Sequence, residues 1–191
     1  CEHLQQDFPF PLHYIVEPER GISQARNFAV KSALEQRADF IAFLDDDDQP
    51  SPDWLEQLWL TQRESKADIV CGTWVLSNDL PEWVHISGIF KSQQQSSKIR
   101  KKMSWLPKMA STCNVLIGRD ILSRLSEKGP VFDTAFSRSG GEDKDFFIRA
   151  HALGARFSAA EESIVIKGHE SARYSYLGIL RRGFKNGSSR M

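Results

Sequence analysis

The chain has 191 residues, enough for one domain with a sizeable core and too few for two full domains. Lysine plus arginine equals aspartate plus glutamate at 25 each, so no net field attracts nucleic acid or an anionic membrane. Its three cysteines lack metal or disulfide spacing, and Cys71 and Cys113 lie in apolar runs typical of buried thiols. No apolar stretch approaches the ~20 residues of a membrane span, and we expect a soluble, cytoplasmic protein.

The first elements alternate between strand and helix patterns. A short strand is predicted at 13–16, and a helix from Ser23, its candidate cap, to about Gln36. Phe40 to Leu44 is a continuous apolar run that predicts a buried strand. The next helix is predicted to start at Ser51-Pro52-Asp53, which combines a cap, a proline and a first-turn acid, and to run to about Ser65.

The second half continues this alternation around one long polar segment. A strand is predicted at 69–76, but periodicity disappears from Ser77 to Pro107, and we expect a mobile lid or binding loop there. Further elements are predicted as strands at 111–118, 156–158 and 163–167, and as helices at 119–125, 144–153 and from Ser171 to the end. The pattern predicts one α/β domain over residues 1–191, a three-layer sandwich with a mostly parallel central sheet.

Four consecutive aspartates, Asp45 to Asp48, follow the apolar strand that ends at Leu44. Ligands collect outside the carboxyl ends of strands in open α/β sheets, and carboxylates are hard ligands suited to Mg²⁺ or Mn²⁺. The D-x-D pair Asp45/Asp47 is therefore a candidate metal site. The alternative is a solvated acidic turn, which would need screening, because no lysine or arginine lies within the next ten positions.

A second acidic motif, Gly140-Gly141-Glu142-Asp143, leads into a predicted helix. One of its carboxylates could serve as a general base toward an acceptor hydroxyl, although an acid that caps a helix explains the same pattern.

Four further residues are candidates for binding charged groups. Arg26 could bind a phosphate, or be an ordinary surface arginine of its helix. His169 could complete a metal site, or have a structural role. Arg181 and Arg182 could close over phosphates, or form a solvated basic helix end.

Together these segments resemble family 2 glycosyltransferases, which are inverting enzymes with the glycosyltransferase A fold. The resemblance rests on three motifs at the usual separations: G-I-S-Q-A-R-N at 21–27, F-L-D-D-D-D at 43–48 and P-D-W-L at 52–55. Gly141-Glu142-Asp143 is similar to the family's E-D motif, and 181–187 to the basic stretch of bacterial members that build surface polysaccharides.

The resemblance implies a role for each matching residue. Asp45 would lie near the donor ribose and the metal, with Asp46 beside it, Asp47 would bind the metal, and Arg26 would lie near the donor nucleotide. Asp143 would be the base, and Glu142 would help to orient the acceptor.

The implied reaction is a single in-line displacement by an acceptor hydroxyl on a nucleotide-sugar, with Mn²⁺ or Mg²⁺ on the leaving diphosphate. A UDP-sugar is the favoured donor, and a glycan or a lipid-linked glycan is the expected acceptor. Peripheral association with the inner membrane face and self-association are further expectations.

One departure from the family pattern bears on function: the chain resembles the family domain without its first β-α-β unit. A non-catalytic remnant that binds a sugar, a metal or a partner is therefore an alternative. An aspartyl phosphotransferase is disfavoured, because Gln49-Pro50 stands where a supporting lysine and hydroxyl are needed. A glycoside hydrolase that uses Asp45 and Asp143 ranks last.

Overall fold

The computed structural model describes residues 9–86, 110–137, 140–168, 174–175 and 177–178. In that part of the chain the strands are β1 (Phe40–Leu44), β2 (Gln49–Pro50), β3 (Ile69–Leu76), β4 (Asn114–Gly118) and β5 (Phe157–Lys167). The α-helices are α1 (Ile22–Glu35), α2 (Trp54–Ser65), α3 (Glu82–Ile86), α4 (Arg119–Ser126) and α5 (Glu142–Ala152), and Thr134–Phe136 forms a 3-10 turn.

The five strands form one mixed sheet in the order β1-β4-β3-β5-β2. The α/β class and the central sheet are as predicted, but the mostly parallel pairing is not. Only the β3–β5 pair is parallel, and the other three neighbouring pairs are antiparallel. The reason is that β4 lies between β1 and β3 and runs opposite to both, and that β2 runs opposite to its neighbour β5.

Helices cover both faces of the sheet, as a three-layer sandwich requires. Successive side chains of a strand point to opposite faces. Ile69 and Cys71 of β3 accordingly pack in a core with α1, α4 and α5, whereas Val70 packs with Leu58 of α2 on the other face. The first core is the larger and contains three fully buried phenylalanines, at 132, 146 and 147.

Several local predictions differ from the structure, three of them in the first third of the chain. Residues 13–16 are not a strand, and Tyr14 and Val16 are exposed, because no described segment pairs with them. The hydroxyl of Ser23 does not cap α1 but donates to the carbonyl of Asp133, 3.0 Å away. Helix α2 begins at Trp54, later than predicted, with Asp53 rather than Ser51 at its cap position.

Strand β5 is one continuous strand where the sequence predicted two. Its pairing with β3 shifts register between Cys71 and Thr73 of β3. This irregularity accommodates the polar residues 161–163, which had predicted a break between two strands. Asn114 fills this irregularity: its side-chain amide donates to the carbonyls of Thr73 and Ser163 at 3.0 and 2.9 Å. A Cβ at position 72 would collide with the Asn114 side chain, so Gly72 leaves the space that this bridge needs.

The predicted loop at 77–107 is described only to residue 86, where α3 forms, and the predicted C-terminal helix lies almost entirely outside the described residues. Within the described part of the chain, no helix has the length and apolar character needed to cross a membrane.

Candidate active site

The acidic residues 45–48 form a turn that joins β1 to β2, the two outer strands at opposite edges of the sheet. The backbone N–H of Asp48 donates to the carbonyl of Asp45 at 3.2 Å, which brings the two side chains to the same side. The Asp48 side chain is 2% exposed and that of Asp45 36% exposed, whereas Asp46 points to solvent. The turn therefore has one buried acid, Asp48, two half-buried acids, Asp45 and Asp47, and one exposed acid, Asp46.

Arg26 joins this turn to the second acidic motif. Its Nη1 donates to Glu142 Oε1 at 3.0 Å and to Asp143 Oδ1 at 2.6 Å, and its Nη2 lies 3.6 Å from Asp45 Oδ1. The guanidinium is nine-tenths buried and also lies over the ring of Phe132. One cation thus balances three carboxylates from two distant segments, which a surface arginine could not do.

Local structure explains why Arg26 reaches these acids. Asn27, the next residue of α1, exchanges two hydrogen bonds of 2.8 Å with the backbone of Phe132, so the 132 loop is fixed against the helix. Gly140 and Gly141 both adopt positive φ, at 77° and 104°, which turns the chain sharply into α5. Glu142 and Asp143 therefore lie in the first turn of α5, where the helix dipole favours acids.

Asp143 is the most heavily hydrogen-bonded acid of the site. Besides Arg26, the hydroxyl of Thr112 donates to its Oδ1 at 2.8 Å and the backbone N–H of Thr112 to its Oδ2 at 3.2 Å. The Ser111 hydroxyl lies 3.4 Å from Oδ2. Ser111 and Thr112 lie just before Cys113 and β4, so the orientation of Asp143 is fixed by both α1 and the segment that enters the central sheet.

A second cation, Lys167 at the end of β5, reaches the acidic turn from the opposite side. Its Nζ donates to Asp48 Oδ2 at 2.7 Å and lies 3.8 Å from Asp45 Oδ2. Burial raises the pKa of Asp48 above its ordinary value, although Lys167 opposes this shift. Burial alone would lower the pKa of Lys167, but the nearby Cys113 and the acids raise it above its ordinary value.

The acidic turn and Cys113, which immediately precedes β4, form the metal-compatible group of the described residues: ligand atoms of Asp45, Asp48 and Cys113 lie within 4.8 Å of one another. The two carboxylates fit Mn²⁺ or Mg²⁺, which prefer oxygen, and the ammonium of Lys167 beside them shows that a cation is favoured here. Cys113 fits such ions poorly, because burial raises the pKa of its thiol and keeps it protonated.

The structure brings together Arg26, Asp45, Glu142 and Asp143 from the sequence prediction. Asp47 is half-buried on the turn but is not a member of the group formed by Asp45, Asp48 and Cys113. His169, Arg181 and Arg182 lie outside the described residues. Sequence reasoning missed Thr112 and Lys167, and only the position of Lys167 at the end of a predicted strand could have pointed to it.

The fold is that of an α/β protein whose acidic residues from two motifs meet around Arg26, and the similarity to known proteins agrees with these motifs. Residues 1–126 match the model of glycosyl transferase family 2, and the chain belongs to this family. The chain is also 31% identical over 191 residues to the succinoglycan biosynthesis protein ExoM of Rhizobium meliloti (strain 1021). That match covers 98% of this chain and 58% of the length of the relative.

Proposed function

We propose that the chain transfers a sugar from a nucleotide-diphosphate-sugar to an acceptor hydroxyl, with inversion, in the biosynthesis of a bacterial polysaccharide. Family membership and the similarity to a succinoglycan biosynthesis protein support the class of reaction. The observation that carries the site assignment is the Arg26 bridge, which gathers Asp45, Glu142 and Asp143 from separate motifs into one cluster.

In the proposed reaction, an oxygen of the acceptor attacks the anomeric carbon while the bond from that carbon to the diphosphate oxygen breaks. Asp143 takes the proton of the attacking hydroxyl, and the nucleoside diphosphate leaves with the bonding electron pair. Thr112 and Arg26 hold Asp143 in one orientation, so the base needs little reorganisation.

Glu142 would orient the acceptor. Its Oε1 is bound to Arg26, whereas its buried Oε2 has no hydrogen-bond partner in the described structure. A buried carboxylate oxygen without a donor is costly, so a hydroxyl that reached it would be bound favourably.

A divalent ion would be held by Asp45 with Asp48 or Asp47, with His169 as a further candidate ligand. When bound, Mn²⁺ or Mg²⁺ supplies charge neutralisation for the leaving diphosphate. Asp46, Arg181 and Arg182 are proposed to contact the donor, most simply a UDP-sugar. The acceptor would be a glycan or a lipid-linked glycan at the inner membrane face, and self-association of the chain stays a prediction.

The test is a transfer assay over a panel of nucleotide-sugars with Mn²⁺, comparing the unaltered protein with Asp143→Asn. The variant keeps the shape of the side chain but cannot take a proton, and turnover should fall about 10²- to 10⁴-fold. Asp145→Asn is the matched control, because Asp145 lies on the same helix and pairs with Arg149 instead. Equal turnover by Asp143→Asn and the control would show that Asp143 is not the base.

The second candidate function is a non-catalytic remnant that binds a sugar or a partner. One observation favours it: Arg26 and Lys167 already supply positive charge to the acids from within the chain. For this candidate we expect no turnover of any nucleotide-sugar and no metal-dependent nucleotide binding at millimolar ligand.

A further inference from the structure

We propose that Lys167 is an intramolecular counter-ion of the acidic turn, which a divalent metal must displace before Asp45 and Asp48 can bind it. This inference rests on the proposed metal-dependent function and adds a competition that the function alone does not require. Lys167 would thereby lower the metal affinity of the site, and its own exposure to reagents would increase when the metal binds.

The position of Lys167 follows from strand pairing. Gln49 of β2 pairs with Ile166 of β5, so Asp48 and Lys167 are the next residues outward on adjacent antiparallel strands. The pair is therefore built into the sheet edge and does not depend on the conformation of a long loop. The carbonyl of Lys167 also accepts a hydrogen bond of 2.7 Å from the N–H of Ser77, which fixes the backbone at this point.

The contacts show that Lys167 uses the oxygens that a metal would need. Its ammonium is 2.7 Å from one oxygen of Asp48 and 3.8 Å from one oxygen of Asp45. The Asp48 side chain is 2% exposed and the Lys167 side chain 22% exposed, so water screens the pair only weakly. The ammonium of Lys167 thus already lies between the two acids in the metal-free protein, and Asp45 also lies 3.6 Å from Arg26.

A divalent ion and the ammonium cannot both occupy this position. Metal–oxygen distances are about 2.0–2.1 Å for Mg²⁺, and a unit positive charge within about 4 Å of the ion would be strongly repelled. Binding therefore requires the flexible lysine chain to swing outward, toward solvent or toward the phosphates of a donor. The binding of each metal ion breaks one partly buried ion pair, and the energy lost in breaking it lowers the apparent metal affinity.

The test is the dissociation constant of Mn²⁺, measured by electron paramagnetic resonance, for the unaltered protein and for Lys167→Met. The variant should bind Mn²⁺ about tenfold more tightly, because the energy of one partly buried ion pair is no longer given up. Lys167→Arg keeps the charge and should stay close to the unaltered protein. Lys128→Met is the control for net charge, since Lys128 is exposed and lines a separate pocket with Pro130 and Arg149.

Equal or weaker Mn²⁺ binding by Lys167→Met would overturn the inference while leaving the proposed function intact. The absence of Mn²⁺ binding by all these proteins would instead overturn the metal dependence of the proposed function, and the inference with it. Circular dichroism establishes that each variant is folded.

A second measurement needs no variant at position 167. Acetylation of lysines by an N-hydroxysuccinimide ester, followed by mass spectrometry, should find Lys167 protected without metal and several-fold more reactive with saturating Mg²⁺. Lys128 should react equally in both conditions. Unchanged protection of Lys167 at saturating metal would contradict displacement, even if the Lys167→Met variant failed to fold.

Discussion

Arg26 is the residue on which the charge balance of the site depends. It is nearly buried, it contacts Glu142 and Asp143 directly, and it lies 3.6 Å from Asp45. Removal of one partner from a buried ion pair is more costly than removal of the whole pair, because the remaining charge stays buried without compensation. Here three carboxylates would be left facing one another.

We therefore expect Arg26→Met to lower the free energy of unfolding by about 3 kcal/mol, measured by urea denaturation. Arg156→Met is the matched control. Arg156 also pairs with an acid, Asp68, but its side chain is 63% exposed, so the loss should stay within about 1 kcal/mol. Similar losses for both variants would contradict the view that Arg26 holds the acidic cluster together.

Thr112 is the second residue that orients Asp143. Thr112→Val preserves the shape of this fully buried side chain but removes the hydroxyl that donates to Asp143 Oδ1 at 2.8 Å. We expect the free energy of unfolding to fall by about 1.5 kcal/mol or more, because the acceptor is a carboxylate. We also expect a lower kcat with KM for the donor unchanged.

The control for this prediction is Thr134→Val, the same chemical change at an exposed position of the 3-10 turn. It should alter neither stability nor turnover by a measurable amount. A Thr112→Val protein with full kcat would show that Asp143 does not depend on this hydrogen bond.

At this scale the sequence identified the acids and Arg26 by motif, but not how they are paired. The absence of lysine or arginine within ten positions of the aspartates suggested an unscreened acidic turn. The structure supplies both missing cations from far along the chain, 19 residues before Asp45 for Arg26 and 119 residues after Asp48 for Lys167. Such long-range pairing leaves no local signal in a single sequence.

At the scale of elements, most helices and strands follow from apolar periodicity. Residues 40–44 and 69–76 form the predicted strands with the predicted bounds, because continuous apolar runs of this length are typical of buried strands. Strand direction does not follow from periodicity, because nothing in the local pattern of 114–118 shows that β4 runs antiparallel to both neighbours. Polar residues 161–163 likewise suggested a gap in β5, because the Asn114 bridge that satisfies this irregularity lies on another strand.

The bridge between β3, β4 and β5 gives a prediction at this scale. Gly72→Ala would place a methyl group against the side chain of Asn114, which is buried and makes three hydrogen bonds, one to Thr73 and two to Ser163. We expect a loss of about 2 kcal/mol or more in the free energy of unfolding, since either the bridge breaks or the strands separate. Gly118→Ala is the control, because a Cβ there meets only ordinary contacts and its φ of −71° suits alanine. Equal stability of the two variants would contradict the role assigned to Gly72.

At the scale of the whole molecule, the raised pKa of Lys167 means that its contribution to the free energy of unfolding is lost at alkaline pH. The folded state holds this proton more tightly than the unfolded chain, so the contribution is fully present below the ordinary value of 10.5 and is lost as pH rises through the raised pKa. The difference in unfolding free energy between the unaltered protein and Lys167→Met should therefore be constant from pH 7 to about 10 and shrink above it. A difference that already vanished by pH 8 would contradict this.

The central claim is that the acidic turn, through Asp45 and Asp48, binds a divalent metal that in turn binds the diphosphate of a donor. The most direct measurement is calorimetric titration of UDP into the protein with Mn²⁺ and with EDTA, for the unaltered chain, Asp45→Asn and the exposed control Asp120→Asn. We predict binding with Mn²⁺ for the unaltered chain and the control, and its loss with EDTA and in Asp45→Asn. Binding that is equally tight in EDTA, or unaffected by Asp45→Asn, would contradict the account.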